Sequence, residues 1–188
     1  MALHTAWTPL ARGGSNFRSH KLDCSNPQRW TFRMSVGGIV LSAFFVAAGV
    51  GIFAASFWQG EKVILMRIFG LAFAAAGAGI GWSLSAPTVF DKQRGYFCKG
   101  RKAPESVFDR SKLKNHTELE RIHALQLIAE LLTKKNNSSG GCLSYELNLV
   151  LIDGSRLNVI DHGGQADIRE DARKLAGFLG KPLWDATA

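Results

Sequence analysis

Two stretches of this chain show no alternation of polar and apolar positions. MSVGGIVLSAFFVAAGVGIFAASFW, Met34 to Trp58, contains no charge, and RIFGLAFAAAGAGIGWSLSAP, Arg67 to Pro87, contains none after Arg67. An amphipathic helix on a soluble domain repeats polar residues every third or fourth position, and neither stretch does. About 20 residues at 1.5 Å rise cross a hydrocarbon core about 30 Å thick. The pattern predicts transmembrane helices over 34–58 and 63–86, joined by a turn at 59–62 and therefore antiparallel. Trp58 and Trp82 fall where interfacial aromatic anchors belong, and Arg67 is placed to snorkel toward headgroups.

Beyond Pro87 the period changes to two. Thr88–Phe90 and Tyr96–Cys98 flank a turn at Asp91–Gly95 and predict a hairpin. A polar, basic stretch follows from Lys102 to Glu118. LERIHALQLIAELL, Leu119 to Leu132, carries helix-forming residues but also alternates, and reads as a strand because of its neighbours. A loop at Asn136–Gly141 leads to strands Tyr145–Ile152 and Arg156–Ile160 around Asp153-Gly154, a strong hairpin signal. Ile168, Ala172, Leu175, Ala176 and Leu179 then fall on one helical stripe, predicting a helix over 165–179. Acidic residues lie early in it, Arg173 and Lys174 later, and Gly180 with Pro182 stops it. The fold class is α+β: an antiparallel two-helix transmembrane hairpin followed by a small antiparallel β domain over 87–188, capped by a C-terminal helix.

Small residues recur at four-residue steps in both apolar stretches. Ala43, Ala47 and Gly51 form a row in the first; Gly70 and Ala74, then Gly77 and Gly81, form rows in the second. Such rows let helix backbones approach closely in lipid. The two helices are expected to pack on each other, with spare small-residue surface for self-association or a larger membrane complex.

Charge sets the orientation. The chain carries a net +8, almost all of it outside the apolar stretches. Arg12, Arg18, Lys21, Arg29 and Arg33 precede the first helix; Lys92, Arg94, Lys99, Arg101 and Lys102 follow the second. The positive-inside rule therefore places both ends in the cytoplasm. The second group is also a candidate lipid-headgroup site, since each juxtamembrane cation contributes roughly 1 kcal/mol at an anionic leaflet. The leading segment 1–33 reads as a cytoplasmic tail with too many large apolar groups to be solvated throughout. Trp7 and Phe17 are expected as anchors in a partner's pocket, with Trp30 and Phe32 at headgroup level.

The order of these elements, with FDKQRGYF, LQLI and YELNLVLIDGSRLNVIDHG followed by a terminal helix, resembles bacterial two-helix membrane proteins with a pleckstrin-homology-like cytoplasmic domain. That resemblance implies a bent antiparallel sheet capped by a helix, a bacterial cytoplasmic (inner) membrane location, and interaction in place of catalysis.

No catalytic constellation emerges. GFLGKP, Gly177 to Pro182, has the wrong spacing for a phosphate loop and ends a helix. His20 and Cys24 lack a second ligand pair, and Asp161-His162 reads as a loop before the last helix. Cys24, Cys98 and Cys142 form no disulfide framework, and no cleavable signal peptide is visible. No cofactor, metal or nucleic-acid partner is expected. The sequence favours a non-catalytic accessory, assembly or scaffold subunit that presents its cytoplasmic domain to a protein partner, with an anionic-lipid-binding module as the alternative.

Overall fold

The computed structural model describes residues 5–10, 14, 17–58, 64–102, 115–132 and 141–187. The expected turn at 59–62, most of the basic stretch after Lys102, and Asn136–Gly140 lie outside them. The chain forms two compact units: 34–86, and 1–33 together with 87–188.

The smaller unit is a helical hairpin. Helix α1 runs Val36–Ala55 and continues through a 3-10 turn, Ser56–Trp58; helix α2 runs Ile64–Leu84. Both are long and apolar enough to cross a membrane. Ser35 caps α1, its hydroxyl accepting Gly38 N–H at 3.1 Å. The helices meet through glycine. A Cβ on Gly49 would run into the Ala74 backbone, and one on Gly70 would come within 2.7 Å of Phe53 N. Gly77 packs on Phe45 and Val46, and Gly81 on Ser42. Ser42 Oγ donates across the pair to Gly77 O at 2.8 Å, and Phe45 stacks on Phe73 with centroids 4.6 Å apart. At the far end Arg67 Nε donates to the buried Ser56 Oγ at 3.3 Å, its guanidinium 4.6 Å from the Phe57 centroid.

The first helix's small-residue row requires correction. Ala43, Ala47 and Gly51 are exposed, and a Cβ on Gly51 would meet nothing. The contact is made instead by Ser42, Phe45, Val46, Gly49 and Phe53. At about 100° per residue, Gly49 and Gly51 lie on nearly opposite sides of the helix. Gly70, Ala74, Gly77 and Gly81 do face α1.

The larger unit holds two sheets and one helix. Strands β1 (His20–Asn26), β2 (Arg29–Met34), β3 (Thr88–Asp91), β4 (Tyr96–Lys99) and β5 (His116–Glu118) form the first sheet in that order. The second has the order β8-β7-β6-β9, with β6 Ile122–Leu132, β7 Cys142–Leu151, β8 Arg156–His162 and β9 Leu183–Asp185. Helix α3, Gln165–Leu179, closes the unit, ending at Gly180 with φ +65°. Its buried stripe of Ile168, Ala172 and Leu175 shares one core with Phe32, Phe90, Phe97, Leu125, Leu127, Leu147 and Leu149.

Three expectations change here. The hairpin does not precede the β domain: β1 and β2 come first, and β2 pairs antiparallel with β3 across the insertion, Trp30 opposite Phe90 and Phe32 opposite Thr88. RWTFR alternates like any half-buried strand, but the apolar stretch that follows it hides its partner in sequence. Phe32 is accordingly fully buried in the core, and Trp30 stacks on Phe178 with centroids 4.3 Å apart; the domain uses both aromatics itself. Finally, the Asp153-Gly154 turn is wider than a two-residue hairpin. Leu151 N–H donates to Ser155 O, Asp153 Oδ1 accepts from Ser155 N–H at 2.9 Å, and of the two named residues only Gly154 takes positive φ, +82°.

Truncating Phe32 leaves a cavity between β2 and the opposite sheet. Phe32→Ala is expected to destabilise the domain by about 3–5 kcal/mol, read as a lower denaturant midpoint with unchanged slope.

Candidate interaction site

The second sheet is covered on both faces, and the two faces differ in chemistry. On β6, Leu125 and Leu127 turn to the core while Ala124, Gln126 and Ile128 turn away. On β7, Tyr145, Leu147 and Leu149 alternate with Ser144, Glu146 and Asn148. Residues opposite one another in a ladder share a face. Trp184 pairs with Gln126, Gln126 with Asn148, and Asn148 with Asn158, so one polar row crosses all four strands. Glu146 and Asp161 stand opposite each other one step along.

This row is internally bonded. Asn148 Nδ2 donates to Glu146 Oε1 at 2.5 Å, Arg156 donates to Gln126 Oε1 at 3.0 Å, and Asn158 Nδ2 donates to Asp161 Oδ1 at 3.0 Å. Lys99 reaches in from the first sheet, its Nζ donating to Asn158 Oδ1 at 2.5 Å. Burial pushes the Lys99 ammonium below its ordinary pKa, opposed by Asp161 and Glu146. Burial likewise raises Asp161, opposed by its Asn158 hydrogen bond and Lys99. Asn148 Oδ1 is buried and has no partner among the described residues.

The leading segment lies over this face. Thr5 Oγ1 donates to Gly154 O at 3.3 Å, and Gln126 Nε2 donates to Ala6 O at 3.1 Å. Trp7 packs on Trp184 with centroids 6.1 Å apart, and Trp184 in turn meets His123 edge-on. Leu10 N–H is shared between both Glu146 carboxylate oxygens at 2.9 and 3.0 Å, and Gly14 touches the Ser144 side chain. Farther on, Gly163 N–H donates to Phe17 O at 3.3 Å, and Arg18 pairs with Asp167 at 2.7 Å and Asp171 at 3.5 Å on α3. Trp7 and Phe17 thus belong to a strap over their own domain, although Trp7 keeps 51% of its surface exposed and Phe17 38%.

The five candidate headgroup cations do not form one patch. Lys92 sits on the Phe178 ring at 4.4 Å, and Arg94 N–H bonds Asp91 in the β3–β4 turn. Arg101 and Lys102 are exposed beyond the other end of β4. Lys99, between them, is corrected from surface ligand to partner of Asn158, because strand alternation turns it inward. A polar groove of about 470 Å³ elsewhere in this unit is lined by Asp23, Ser25, Arg29, Thr31 and Arg33 among others. Arg33 pairs there with Asp23 at 3.0 Å, and Arg29 approaches Asp91 at 3.9 Å.

Sequence reasoning missed Gln126, Glu146, Asn148 and Trp184. For Glu146 and Asn148 the signal was polar residues at every second position of an otherwise apolar β7, SYELNL, which marks a second, non-core face. Among the described residues, no three His, Cys, Asp or Glu side chains gather as a metal site. No protein-family model matches the chain, and no curated protein matches it in sequence.

His162 ends β8 instead of lying in a loop, and is fully buried. Its Nδ1 accepts Gly164 N–H at 2.8 Å, so the neutral ring carries its proton on Nε2, which has no partner among the described residues. Burial, then nearby Arg18, depresses its pKa below 6.5; Asp167 opposes and His20 adds to the depression. The unfolded chain takes up this proton near pH 6.5 while the fold resists it. The resulting stability is full above that pH and declines as pH falls toward the lower folded value. Unfolding midpoints between about pH 7 and 5 should therefore fall in the parent and flatten in His162→Gln, whose amide oxygen can still accept from Gly164.

Proposed function

We propose that the chain is a non-catalytic integral membrane protein, an accessory, assembly or scaffold subunit whose cytoplasmic β domain is presented to a protein partner. The supporting observation is the hairpin's surface. Val36, Val40, Phe44, Leu65, Ile68 and Leu71 each expose more than half of their area, whereas a core helix of a soluble protein would hide them. Lipid is the medium in which such a surface costs nothing. Two helices whose mutual contact is already satisfied by glycines enclose no pathway, which favours anchorage over transport. The outward row of Ala43 and Ala47 lines an apolar groove of about 470 Å³ with Ile39, Val46 and Val50, a shape that accepts another transmembrane helix. The mainly antiparallel sheets and the helix α3 agree with a pleckstrin-homology-like domain, although β9 follows α3 and pairs parallel with β6; the cation distribution agrees with cytoplasmic termini in a bacterial inner membrane.

Purification from native membranes in mild detergent should bring down a stoichiometric partner, and Ala47→Leu, which adds bulk to the groove from an exposed position on α1, should lose it. A chain that travels alone, or a partner indifferent to Ala47→Leu, would count against this reading.

An anionic-lipid-binding role is the second reading, favoured by the Arg29–Arg33 groove on the strand that runs directly into α1. Exchange of the protein from detergent into lipid should then show a preference for anionic over zwitterionic vesicles. That preference should weaken with salt and in Arg29→Gln/Arg33→Gln.

A further inference from the structure

The strap rests on a mixed face. Gln126, Glu146 and Asn158 would be at ease in water, whereas Ala124, Ile128 and Val150 on the same face are buried. The core-facing residues Leu125, Leu127, Leu147 and Leu149 lie on the other side of the sheet, so an exchange of occupant on the outer face leaves the core closed. Among the described residues, 5–10 meet the face through main-chain contacts, Ala6 O to Gln126 and Leu10 N–H to Glu146, through Thr5 Oγ1 to Gly154 O, and through Trp7 on Trp184. Such contacts read the main chain more than a particular sequence. The segment bends at Thr8 and again at Leu10, on either side of Pro9, which brings Trp7 and the Leu10 N–H to separate points of the face. The fit is also incomplete, because Asn148 Oδ1 is fully buried and finds no donor among the described residues.

We infer that the outer face of β9-β6-β7-β8 is a peptide-binding groove which the chain's own residues 5–10 occupy in the absence of a ligand. Its ligand is a peptide segment of a partner protein. That segment carries an aromatic side chain for Trp184, a backbone carbonyl for Gln126 beside it, and an unpaired N–H for Glu146 three residues later. A hydrogen-bond donor that reaches Asn148 Oδ1 gives the partner the advantage over residues 5–10, which supply none. Glu146 anchors the main chain with a charge-assisted bond; Trp184 selects the aromatic. The inference takes the source of the peptide from the reading of the chain as a partner-binding subunit, while the groove stands on its own geometry.

The test uses the full-length protein in detergent and a fluorescent peptide of its own residues Thr5–Gly14 as probe, followed by anisotropy. Leu10→Pro removes the N–H that Glu146 accepts and loosens the tethered strap. The parent should bind the probe weakly, because its groove is filled at the high effective concentration of a tethered segment. Leu10→Pro should bind it at least about tenfold more tightly, and adding Glu146→Gln should reverse most of that gain, about 1.4 kcal/mol per tenfold. Equal binding to parent and Leu10→Pro would overturn the proposal, as would indifference to Glu146→Gln. Loss of cooperative unfolding in Leu10→Pro would overturn it too, since the strap would then be part of the core. Concentration-dependent dimers of the parent through exchanged straps would assign the groove to a second copy and overturn the partner assignment. A protein that binds the probe yet leaves native membranes alone would defeat the proposed partner role and leave the groove standing.

Discussion

The antiparallel pairing of β2 with β3 is the constraint on which the rest depends. Arg29 through Phe32 lie opposite Asp91 through Thr88, although the whole apolar hairpin separates them in the chain. Ladder partners sit about 5 Å apart, so the chain leaves the β unit and returns to it at neighbouring strand ends. Two helices of similar length, joined by a short connection, satisfy that closure. The pairing also draws Phe32, Phe90 and Phe97 into one core with the second sheet and α3. An apolar helical hairpin inserted within a sheet, and not appended to it, ties the pairing of β2 with β3 to the closure of the hairpin's two ends.

A second consequence concerns the segment ahead of β1. Because β1 and β2 are integral strands, the residues before them are delivered to the domain surface and need somewhere to lie. They cross the polar face of the second sheet, then bond to the β8–α3 junction and α3 itself through Phe17 and Arg18. Conformational entropy opposes ordering such a segment, at roughly 1–2 kcal/mol per residue of backbone. Against that cost stand the bonds to Gln126, Glu146 and Gly154 and the packing of Trp7 on Trp184.

The two units divide their chemistry cleanly. The hairpin carries its polar contacts internally, Ser42 to Gly77 and Arg67 to Ser56, and presents apolar side chains outward. The β unit carries nearly all the charge, and its buried polar row combines Lys99, Asp161 and Glu146 with three amides. In low-dielectric surroundings such a row is stable only when its members bond one another, and Asn148 Oδ1 is the atom of the row that has no partner among the described residues.

Much of the fold was legible from local pattern. The extents of both apolar helices, the position (though not the width) of the Asp153-Gly154 turn and the helix over 165–179 are set by residues within a turn or two of each other. Propensity, periodicity and capping suffice at that range. Which face of α1 meets α2 was not legible, since small residues occur on several faces and only the facing surface of α2 selects Gly49 over Gly51. The inward turn of Lys99, the burial of Phe32 and the strap over Gln126 and Glu146 were hidden for the same reason. Each depends on a partner tens of residues away or more, up to 136 between Leu10 and Glu146. The sequence by itself determined where helices and strands form, because those choices are local; only the tertiary structure decided which surfaces they turn toward one another, because burial is a property of the assembled pair.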